Sequence, residues 1–442
     1  MFSIVDTINR FWDWIGTLSF SSIANIYWFL FFIEVPRYYL LEYLVIFKRL
    51  MTRNKRYKEK ELARFYPYRE NPLISILVPG KNEGKNIYKM VKSLNEQTYR
   101  HYEIIVVDDG SNDDTKLICT DLYRAGLITH YLRLETRGGK AAATNYGANM
   151  ARGKYIVSLD ADSSLDRDAL ENVLLPFYLD SEVKAVGGCI EVRNYKETIC
   201  SSLQAFEYLK RIQVGRSVTS ALGIYHIISG AFGAFERKTL KEVGYWDIGP
   251  GLDGDITQKI RKAGYKVKFA EDAICMTNVP TKWYKLYRQR IRWSRSLVRF
   301  RLRKHLDILL PSKNWSILNW LSNMESVVFD CVFNFLWLGY MIQLAITFNT
   351  HIVDVLLLGY FIRVCLSQLA FILVLLVTER KKTAWFLYRF MPLMSPYTGY
   401  FLRFARLEAH LQELFFRTSY KDEWNPKKTS RYAQLEGIKG KK

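Results

Sequence analysis

Long apolar runs lie towards both ends of the chain, and shorter apolar and polar segments alternate between them. Residues 23–47 form the first run, and residues 327–348 and 353–377 form two more. A helix rises about 1.5 Å per residue, so each run is long enough to cross a bilayer. A further apolar stretch, residues 385–401, contains two prolines and either spans the membrane or enters it and returns. The pattern therefore predicts membrane helices on both sides of a polar middle.

Charged residues interrupt the first apolar run and follow it closely. Glu34 and Arg37 lie three positions apart, a spacing at which helical side chains can pair. Seven Lys or Arg residues come between positions 48 and 60. Basic residues next to a membrane helix mark its cytoplasmic end. The residues that follow are therefore predicted to be cytosolic.

The middle of the chain alternates short apolar strands with amphipathic helices. The predicted strands cover residues 73–78, 102–107, 131–134 and 155–159, and the predicted helices cover 83–94, 117–124 and a segment from 138 onwards. This alternation is typical of an α/β domain with a mostly parallel sheet, which binds ligands at the carboxyl ends of its strands. Asp108 and Asp109 follow the second strand, and Asp160 and Asp162 follow the fourth. These four carboxylates are therefore predicted to share one edge of the sheet.

Asp160 and Asp162 form an Asp-x-Asp pair that suits a divalent cation. Carboxylate oxygens are good ligands for Mg²⁺ or Mn²⁺, and such an ion can bridge a diphosphate. Two glycines precede Lys140, and the ammonium group of this lysine is a candidate to bind a phosphate group or the base of a nucleotide. The alternatives are a plain acidic turn for the aspartates and a solvated helix start for Lys140.

The stretch from Gly249 to Thr257 contains three glycines and a proline, which predict a tight loop. This loop would present Asp253 and Asp255. A carboxylate held close to a sugar hydroxyl can act as a general base. The alternative is a solvated acidic turn.

The chain of 442 residues carries 64 Lys and Arg against 43 Asp and Glu, a formal net charge of +21. Anionic lipids, nucleotide phosphates or nucleic acid would each suit this charge. Much of it flanks apolar segments, and no nucleic-acid recognition motif is present, which argues against nucleic acid. Residues 283–303 carry basic and apolar stripes at helical spacing and predict an amphipathic helix on the cytosolic membrane surface. The six cysteines include no Cys-x-x-Cys pair, so neither a zinc site nor a disulfide framework is indicated.

Seven short motifs occur in one order between roughly residues 72 and 300. They are Val78-Pro-Gly-Lys-Asn-Glu83, Val107-Asp-Asp-Gly-Ser111, Gly139-Lys140, Asp160-Ala-Asp162, Ser229-Gly-Ala-Phe232, Leu252-Asp253 and Gln289-Arg-Ile-Arg-Trp293. This ordered set resembles family 2 glycosyltransferases, above all the membrane-bound processive branch of cellulose, chitin, hyaluronan and poly-N-acetylglucosamine synthases. The resemblance implies an α/β fold of the GT-A type, a Rossmann-like mixed sheet, with transmembrane and interfacial helices on both sides.

The resemblance also implies a role for each motif. Asp253 would be the catalytic base, and Asp160 and Asp162 would hold Mg²⁺ or Mn²⁺. The donor would contact Asp108, Asp109, Lys140, Asp160, Gln289, Arg292 and Trp293, and the acceptor sugar would contact Ser229, Gly230 and Trp293. The chain departs from the family pattern at Leu252, where an acidic residue is usual. Asp253 is still preferred because the following Gly-Asp-Ile-Thr matches the family, and Asp255 is the second candidate.

The resemblance implies an inverting hexosyltransferase that polymerises a β-linked exopolysaccharide from a UDP-sugar. UDP-glucose and UDP-N-acetylglucosamine are the preferred donor candidates. The enzyme would also move the polymer across the inner membrane. By resemblance, Phe232 in the Ser229-Gly-Ala-Phe232 motif favours the poly-N-acetylglucosamine type. The partners would be the donor, the growing glycan, membrane lipids and accessory membrane or periplasmic subunits. The alternatives are a transferase that adds one sugar to a lipid carrier and an inactive, transferase-like membrane scaffold.

The expected organisation has five parts. They are an N-terminal membrane segment with a basic stretch (1–60), a cytosolic GT-A domain (70–280), a basic interface helix (281–312), transmembrane helices (313–405) and a basic cytosolic tail (406–442). Within the fourth part, Asn323, Ser326, Asp330 and Asn334 share one helical face. Polar groups at membrane depth line a cavity or bond to another helix, so this face predicts either a glycan channel or helix packing.

Overall fold

The computed structural model describes residues 4–247, 249, 251–311 and 315–421. The lysines and arginine of the predicted basic tail, from Lys427 onwards, lie outside the described residues. From residue 4 up to the first strand, the chain forms four α-helices: α1 (Ile4–Gly16), α2 (Phe20–Ile26), α3 (Leu41–Met51) and α4 (Arg53–Glu70). Two π-helical segments, Leu30–Glu34 and Pro36–Leu40, carry the chain from α2 towards α3.

The charged residues of the first apolar run pair with distant parts of the chain. The contacts are Glu34 with Arg363 at 2.8 Å and with Arg403, Arg37 with Glu325, and Glu42 with Lys210. The expected pair between Glu34 and Arg37 is therefore wrong, because residues from later helices supply the partner of each. These ion pairs tie the N-terminal segment to helices that lie more than a hundred positions away in sequence.

In the described parts of the chain, eight strands form one mixed sheet: β1 (Ile74–Gly80), β2 (Tyr102–Asp108), β3 (His130–Arg133), β4 (Tyr155–Leu159), β5 (Ser164–Leu165), β6 (Val183–Val192), β7 (Phe232–Glu236) and β8 (Lys266–Thr277). The strand order is β3-β2-β1-β4-β7-β6-β8-β5. The four strands predicted from the sequence are β1 to β4, and all four run parallel to one another. The sheet turns mixed at β7, which is antiparallel to both β4 and β6.

The register of these strands gathers the predicted site at one edge. Gly80 at the end of β1 pairs with Asp108 at the end of β2. Phe232, which begins the antiparallel β7, pairs with Leu159, which ends β4. The loop that enters β7 therefore meets the loop that leaves β4. Because β7 runs in the opposite direction to β4, Ser229 and Gly230 lie beside the Asp-x-Asp pair.

Between β1 and β8, the residues that the structure describes form eight α-helices: α5 (Gly84–Asn95), α6 (Thr115–Arg124), α7 (Lys140–Met150), α8 (Ala169–Leu179), α9 (Ile199–Tyr208), α10 (Gly215–Ala221), α11 (Arg237–Glu242) and α12 (Leu252–Lys262). A π-helical segment, Leu209–Val214, joins α9 to α10. The two faces of the sheet carry separate apolar clusters. One cluster contains Ile76 and Val106, and the other contains Leu77 and Ile105, as the alternation of side chains along a strand requires.

Within the described residues after the sheet, seven α-helices are present: α13 (Trp283–Leu297), α14 (Ile317–Val327), α15 (Phe333–Thr347), α16 (Ile352–Val377), α17 (Lys381–Tyr388), α18 (Met391–Pro396) and α19 (Leu402–Phe416). The π-helical segment Val298–Lys304 continues α13, so the predicted amphipathic helix over 283–303 is present. Another, Val328–Val332, joins α14 to α15.

Two helical stretches within the described residues are long and apolar enough to cross a membrane, Ile317–Thr347 and Asn349–Val377. The first apolar run, residues 23–47, is helical over most of its length but is not among them. The stretch 385–401 is divided among α17, α18 and a π-helical segment, Tyr397–Phe401. Its buried residues, among them Leu387 and Met391, belong to the same apolar cluster as strands β1 and β2.

Candidate active site

Asp108 and Asp109 end β2, and both already have protein partners. Asp108 is buried and accepts hydrogen bonds from Arg133 at 2.8 Å and from the Tyr131 hydroxyl at 2.9 Å. Asp109 accepts from the backbone amides of Gly138 and Gly139, at 2.6 and 2.9 Å. Asp109 thus shapes the glycine turn that leads into Lys140. Burial holds the pKa of Asp109 above its usual value, although these amides act in the opposite direction.

Lys140 begins α7 and connects three parts of the site. Its ammonium group donates to Asp160 at 2.5 Å and lies 3.4 Å from the carbonyl oxygen of Gly230. Limited solvation by itself would lower the pKa of Lys140, but the charges of Asp160, Asp253 and Asp162 hold it above its usual value. The predicted base, the predicted metal ligands and Lys140 therefore lie within one electrostatic neighbourhood.

A third carboxylate, Glu83, lies close to the Asp-x-Asp pair. The pKa of Asp162 is raised to about 6, first by burial and then by the charges of Asp160 and Glu83. The pKa of Glu83 is raised by its own burial and by Asp160. The charge of Asp160 therefore disfavours the ionisation of both Asp162 and Glu83, and a cation bound beside them would relieve this repulsion. The Val78-Pro-Gly-Lys-Asn-Glu83 motif contains Glu83, but nothing in its local sequence connects it with residues 160–162.

The described residues contain no group of three or more His, Cys, Asp or Glu side chains positioned to hold a metal by themselves. Mg²⁺ sites that act on nucleotides use one or two carboxylates together with substrate phosphates and water. The half-buried aspartates and the repulsion between them fit that kind of site. They do not fit a closed protein cage.

Asp253 lies in the first turn of α12, not in a loop. The expected loop over Gly249–Thr257 is wrong because Gly251, with φ of 90°, turns the chain directly into the helix at Leu252. Acidic residues in a first helical turn are favoured by the helix dipole. Limited solvation raises the pKa of Asp253, while Lys140 and the backbone amide of Gly230 oppose that shift.

Gly230 allows the β7 loop to approach Asp253 closely. A Cβ atom at this position would lie 2.3 Å from Oδ1 of Asp253, well inside van der Waals contact. Ser229 precedes Gly230, and its hydroxyl oxygen accepts from the backbone amide of Ala231 at 3.4 Å. The predicted acceptor residues and the predicted base are therefore brought together.

Asp255 is occupied elsewhere. It is buried and contacts Nε2 of His305 at 2.8 Å and Nζ of Lys304 at 2.6 Å. Burial opposes its ionisation, but these two partners hold its pKa below the usual value. Asp255 thus joins α12 to Lys304 and His305 at the end of the interface helix.

The Gln-Arg-Ile-Arg-Trp motif lies on α13, where Trp293 is 42% exposed. Its second residue, Arg290, is buried, and its guanidinium lies 4.6 Å from the ring centre of Trp293. Arg290 donates to Glu207 on α9 at 2.8 Å, and the Tyr397 hydroxyl donates to the same carboxylate at 2.7 Å. Arg290 and Glu207 were not predicted, since the motif draws attention to its other residues and Glu207 is far away in sequence.

A cavity of about 450 Å³ begins beside Trp293 and extends between the apolar helices. Phe300 and Ser296 line it on the side of the interface helix, and Phe329 and Asp330 line it on the side of α14 and α15. Phe300 also packs on α12, because a Cβ at Gly254 would lie 2.2 Å from its ring. The cavity wall therefore contacts the turn that carries Asp253.

Residues 75–244 match the family model described as glycosyl transferase family 2. The chain carries a family 2 glycosyltransferase domain. It is 33% identical over 222 residues to the poly-beta-1,6-N-acetyl-D-glucosamine synthase of Staphylococcus epidermidis, covering 50% of this chain and 53% of that relative. The corresponding Staphylococcus aureus synthase is 31% identical over the same length. The chain thus spans about half the length of the curated relatives that it matches.

One solved structure resembles most of the fold. The mannosyltransferase PcManGT from Pyrobaculum calidifontis, in complex with GDP-Man and Mn²⁺, aligns with a TM-score of 0.55 at 20% identity. The alignment covers 85% of this chain and 99% of that one. This likeness confirms the predicted GT-A-type fold of the glycosyltransferase domain.

We predict that Glu207→Gln destabilises the protein by about 3–5 kcal/mol, because it leaves the buried Arg290 without its carboxylate partner. The check is thermal unfolding in detergent of Glu207→Gln, Arg290→Gln and the double variant. The sum of the two single losses of stability should exceed the loss in the double variant, because the two groups interact directly. Glu197→Gln, at an exposed position, is the matched control. Additive effects of the two substitutions would contradict the assignment.

Proposed function

We propose that this protein is a membrane-embedded, inverting glycosyltransferase that extends a β-linked glycan from a UDP-sugar. The observation that carries the proposal is the position of Asp253 against Gly230 and within the electrostatic reach of Lys140 and Asp160. A raised pKa suits a carboxylate that must accept a proton near neutral pH. The similarity to the two named staphylococcal synthases supports the same class of reaction.

In the proposed reaction, Asp253 takes the proton from a hydroxyl group of the acceptor sugar. The hydroxyl oxygen attacks the anomeric carbon of the donor, and the bond from that carbon to the diphosphate breaks. Attack from the opposite face inverts the anomeric configuration and gives the β-linkage. Lys140 and Arg292 are positively charged groups suited to the leaving diphosphate, and Trp293 offers an exposed aromatic face to the acceptor ring.

Asp160 and Asp162 would hold a divalent cation, with Glu83 nearby. Mg²⁺ or Mn²⁺ bound there would neutralise charge on the diphosphate. Support comes from the raised pKa values of Asp162 and Glu83, to both of which the charge of Asp160 contributes after burial. Asp108 and Asp109 would shape the uridine pocket, because Asp109 fixes the glycine turn before Lys140. Gln289 would join Arg292 at the donor.

The cavity between the apolar helices supplies a route for the product. Of the polar face predicted on α14 and α15, Ser326 and Asp330 line the cavity. Asn323 instead accepts from Arg301 at 3.1 Å, and Asn334 donates to the backbone carbonyl of Arg403 at 3.3 Å. Two residues of this polar face therefore line the proposed product route, and the other two hold neighbouring segments in place through hydrogen bonds.

The test of the function is UDP release by the purified full-length protein in nanodiscs, with the product sized afterwards. The donors are UDP-glucose, UDP-N-acetylglucosamine, UDP-galactose and UDP-glucuronate, singly and in pairs, with Mg²⁺ or Mn²⁺. We expect a long product. Single-sugar products would favour transfer to a lipid carrier, and the absence of turnover with every donor would favour an inactive scaffold.

The raised pKa of Asp162 predicts pH-dependent binding of Mn²⁺ with UDP. As the pH falls through about 6, protonation of Asp162 removes a ligand charge, so the affinity should fall. Glu83→Gln removes a negative neighbour, lowers the pKa of Asp162 and should move this loss to lower pH. Calorimetric titration between about pH 5 and pH 7.5 checks both expectations. Glu96→Gln, at an exposed position, is the control, and a flat profile for the unmodified protein would refute the assignment.

The route through the cavity predicts that Asp330→Leu blocks export while sugar transfer continues. Asp330 lies 3.5 Å from Arg211 and 3.7 Å from Arg406, and leucine removes the carboxylate that both of these arginines approach. The measurement compares polymer released across sealed membrane vesicles with total polymer, at equal protein level. Asp121→Leu, at an exposed position of α6, is the control. Normal export by Asp330→Leu would exclude this route.

A further inference from the structure

Positive charge exceeds negative charge along the cavity between the apolar helices. In the part of the chain that the structure describes, nine Lys or Arg residues and five Asp or Glu residues line it. Asp330 is shared by Arg211 and Arg406, and Glu34 is shared by Arg363 and Arg403. Each of these carboxylates therefore faces two guanidinium groups. Ion pairs within the protein leave part of the positive charge unbalanced.

Two arginines that line the cavity have no carboxylate within ion-pair distance among the described residues. Arg301 is fully buried and donates to neutral oxygens: Oδ1 of Asn323 at 3.1 Å and the backbone carbonyls of His226 at 3.2 Å and Ser322 at 3.5 Å. Its Nε has no hydrogen-bond acceptor, and neither has Nη1 of Arg216. Burial lowers the pKa of Arg301 to about 10, although the charges of Glu325 and Asp330 act in the opposite direction. Buried charges in proteins are normally paired or bound to a ligand.

The cations are spread along the helix that runs from Ile317 to Thr347. Arg301 contacts position 323, Arg37 contacts position 325, and Arg211 approaches position 330. Arg403 lies 5.3 Å from the ring centre of Trp337. At about 1.5 Å per residue, these contacts extend over roughly 20 Å of the helix. A single phosphate group could contact the arginine at one of these positions, whereas a chain with repeated negative charges could contact several of them.

We propose that the cavity binds an acidic glycan, so that the growing acceptor chain contains sugars with carboxylate groups. This inference rests on the proposed function and names the class of its product. Arginine forms strong, charged hydrogen bonds with carboxylates, and Nη1 of Arg216 and Nε of Arg301 have no acceptor among the described residues. A neutral glycan would leave the excess charge of the cavity uncompensated.

The test is direct binding of labelled probes to the full-length protein in nanodiscs of neutral lipid. One probe is a tetrasaccharide of alternating N-acetylglucosamine and glucuronate, and the other is a tetrasaccharide of β-linked N-acetylglucosamine. We expect the acidic probe to bind about tenfold more tightly at low salt, with a preference that shrinks as salt is added. Polyprenyl phosphate is added as a competitor to represent a lipid-linked phosphate.

Variants locate the preference in the cavity. Arg216→Gln and Arg211→Gln should each reduce it, Arg216→Lys should retain most of it, and the exposed Arg124→Gln should leave it unchanged. If a variant fails to fold, the salt dependence of the two probes on the unmodified protein still decides. Equal affinity for the two probes would overturn the inference, and so would displacement of both by polyprenyl phosphate without an acidic preference. An acidic preference without sugar transfer would support the inference and count against the proposed function alone.

Discussion

The contact between Lys140 and Asp160 is the interaction on which the site depends. Asp160, Asp162, Asp253 and Glu83 converge on one poorly solvated edge of the sheet. Burial raises the pKa values of Asp162, Glu83 and Asp253, and the charge of Asp160 raises each of them further. Such a cluster needs positive charge to remain ionised. Lys140 supplies it from the first position of α7, and Asp109 fixes the glycine turn that places it there. The charge of Lys140 therefore helps to keep the carboxylates at this edge of the sheet ionised.

A second set of ion pairs joins this domain to the apolar helices. Glu207 holds Arg290 beneath Trp293 and also accepts from Tyr397, so one carboxylate connects α9, α13 and the segment before α19. Arg37 reaches Glu325 at the end of α14, and Lys210 reaches Glu42 on α3. Buried pairs of this kind are specific in direction and partner. They fix how the interface helix, with its exposed tryptophan, meets the mouth of the cavity.

The sequence was sufficient for features that depend on local pattern. Strands β1, β2 and β4 were predicted within two residues of their ends, because short apolar runs stop at glycine, proline or aspartate. The placement of Asp108 and Asp160 at the same edge of the sheet followed from the rule that parallel strands present their carboxyl ends together. The antiparallel β7 was not predicted, since nothing local in residues 232–236 states the direction in which the strand runs.

Features that depend on distant partners were missed or wrong. Glu34 and Arg37 were expected to pair at helical spacing, but Arg363, Arg403 and Glu325 come from helices that the sequence could not place. Glycine at 249, 251 and 254 suggested a loop, whereas Gly251 caps α12 and Gly254 admits the ring of Phe300. Glu83 and Glu207 gave no signal, because their roles arise only when the fold brings them to residues far along the chain.

The most direct test compares UDP release by the unmodified protein, Asp253→Asn and Asp255→Asn under identical conditions. If Asp253 is the base, Asp253→Asn should lose at least about a hundredfold in turnover while it remains folded and still binds UDP. Asp255→Asn should lose stability more than turnover, since its carboxylate holds His305 and Lys304. Turnover retained by Asp253→Asn, or lost only in Asp255→Asn, would contradict the assignment of Asp253 as the catalytic base.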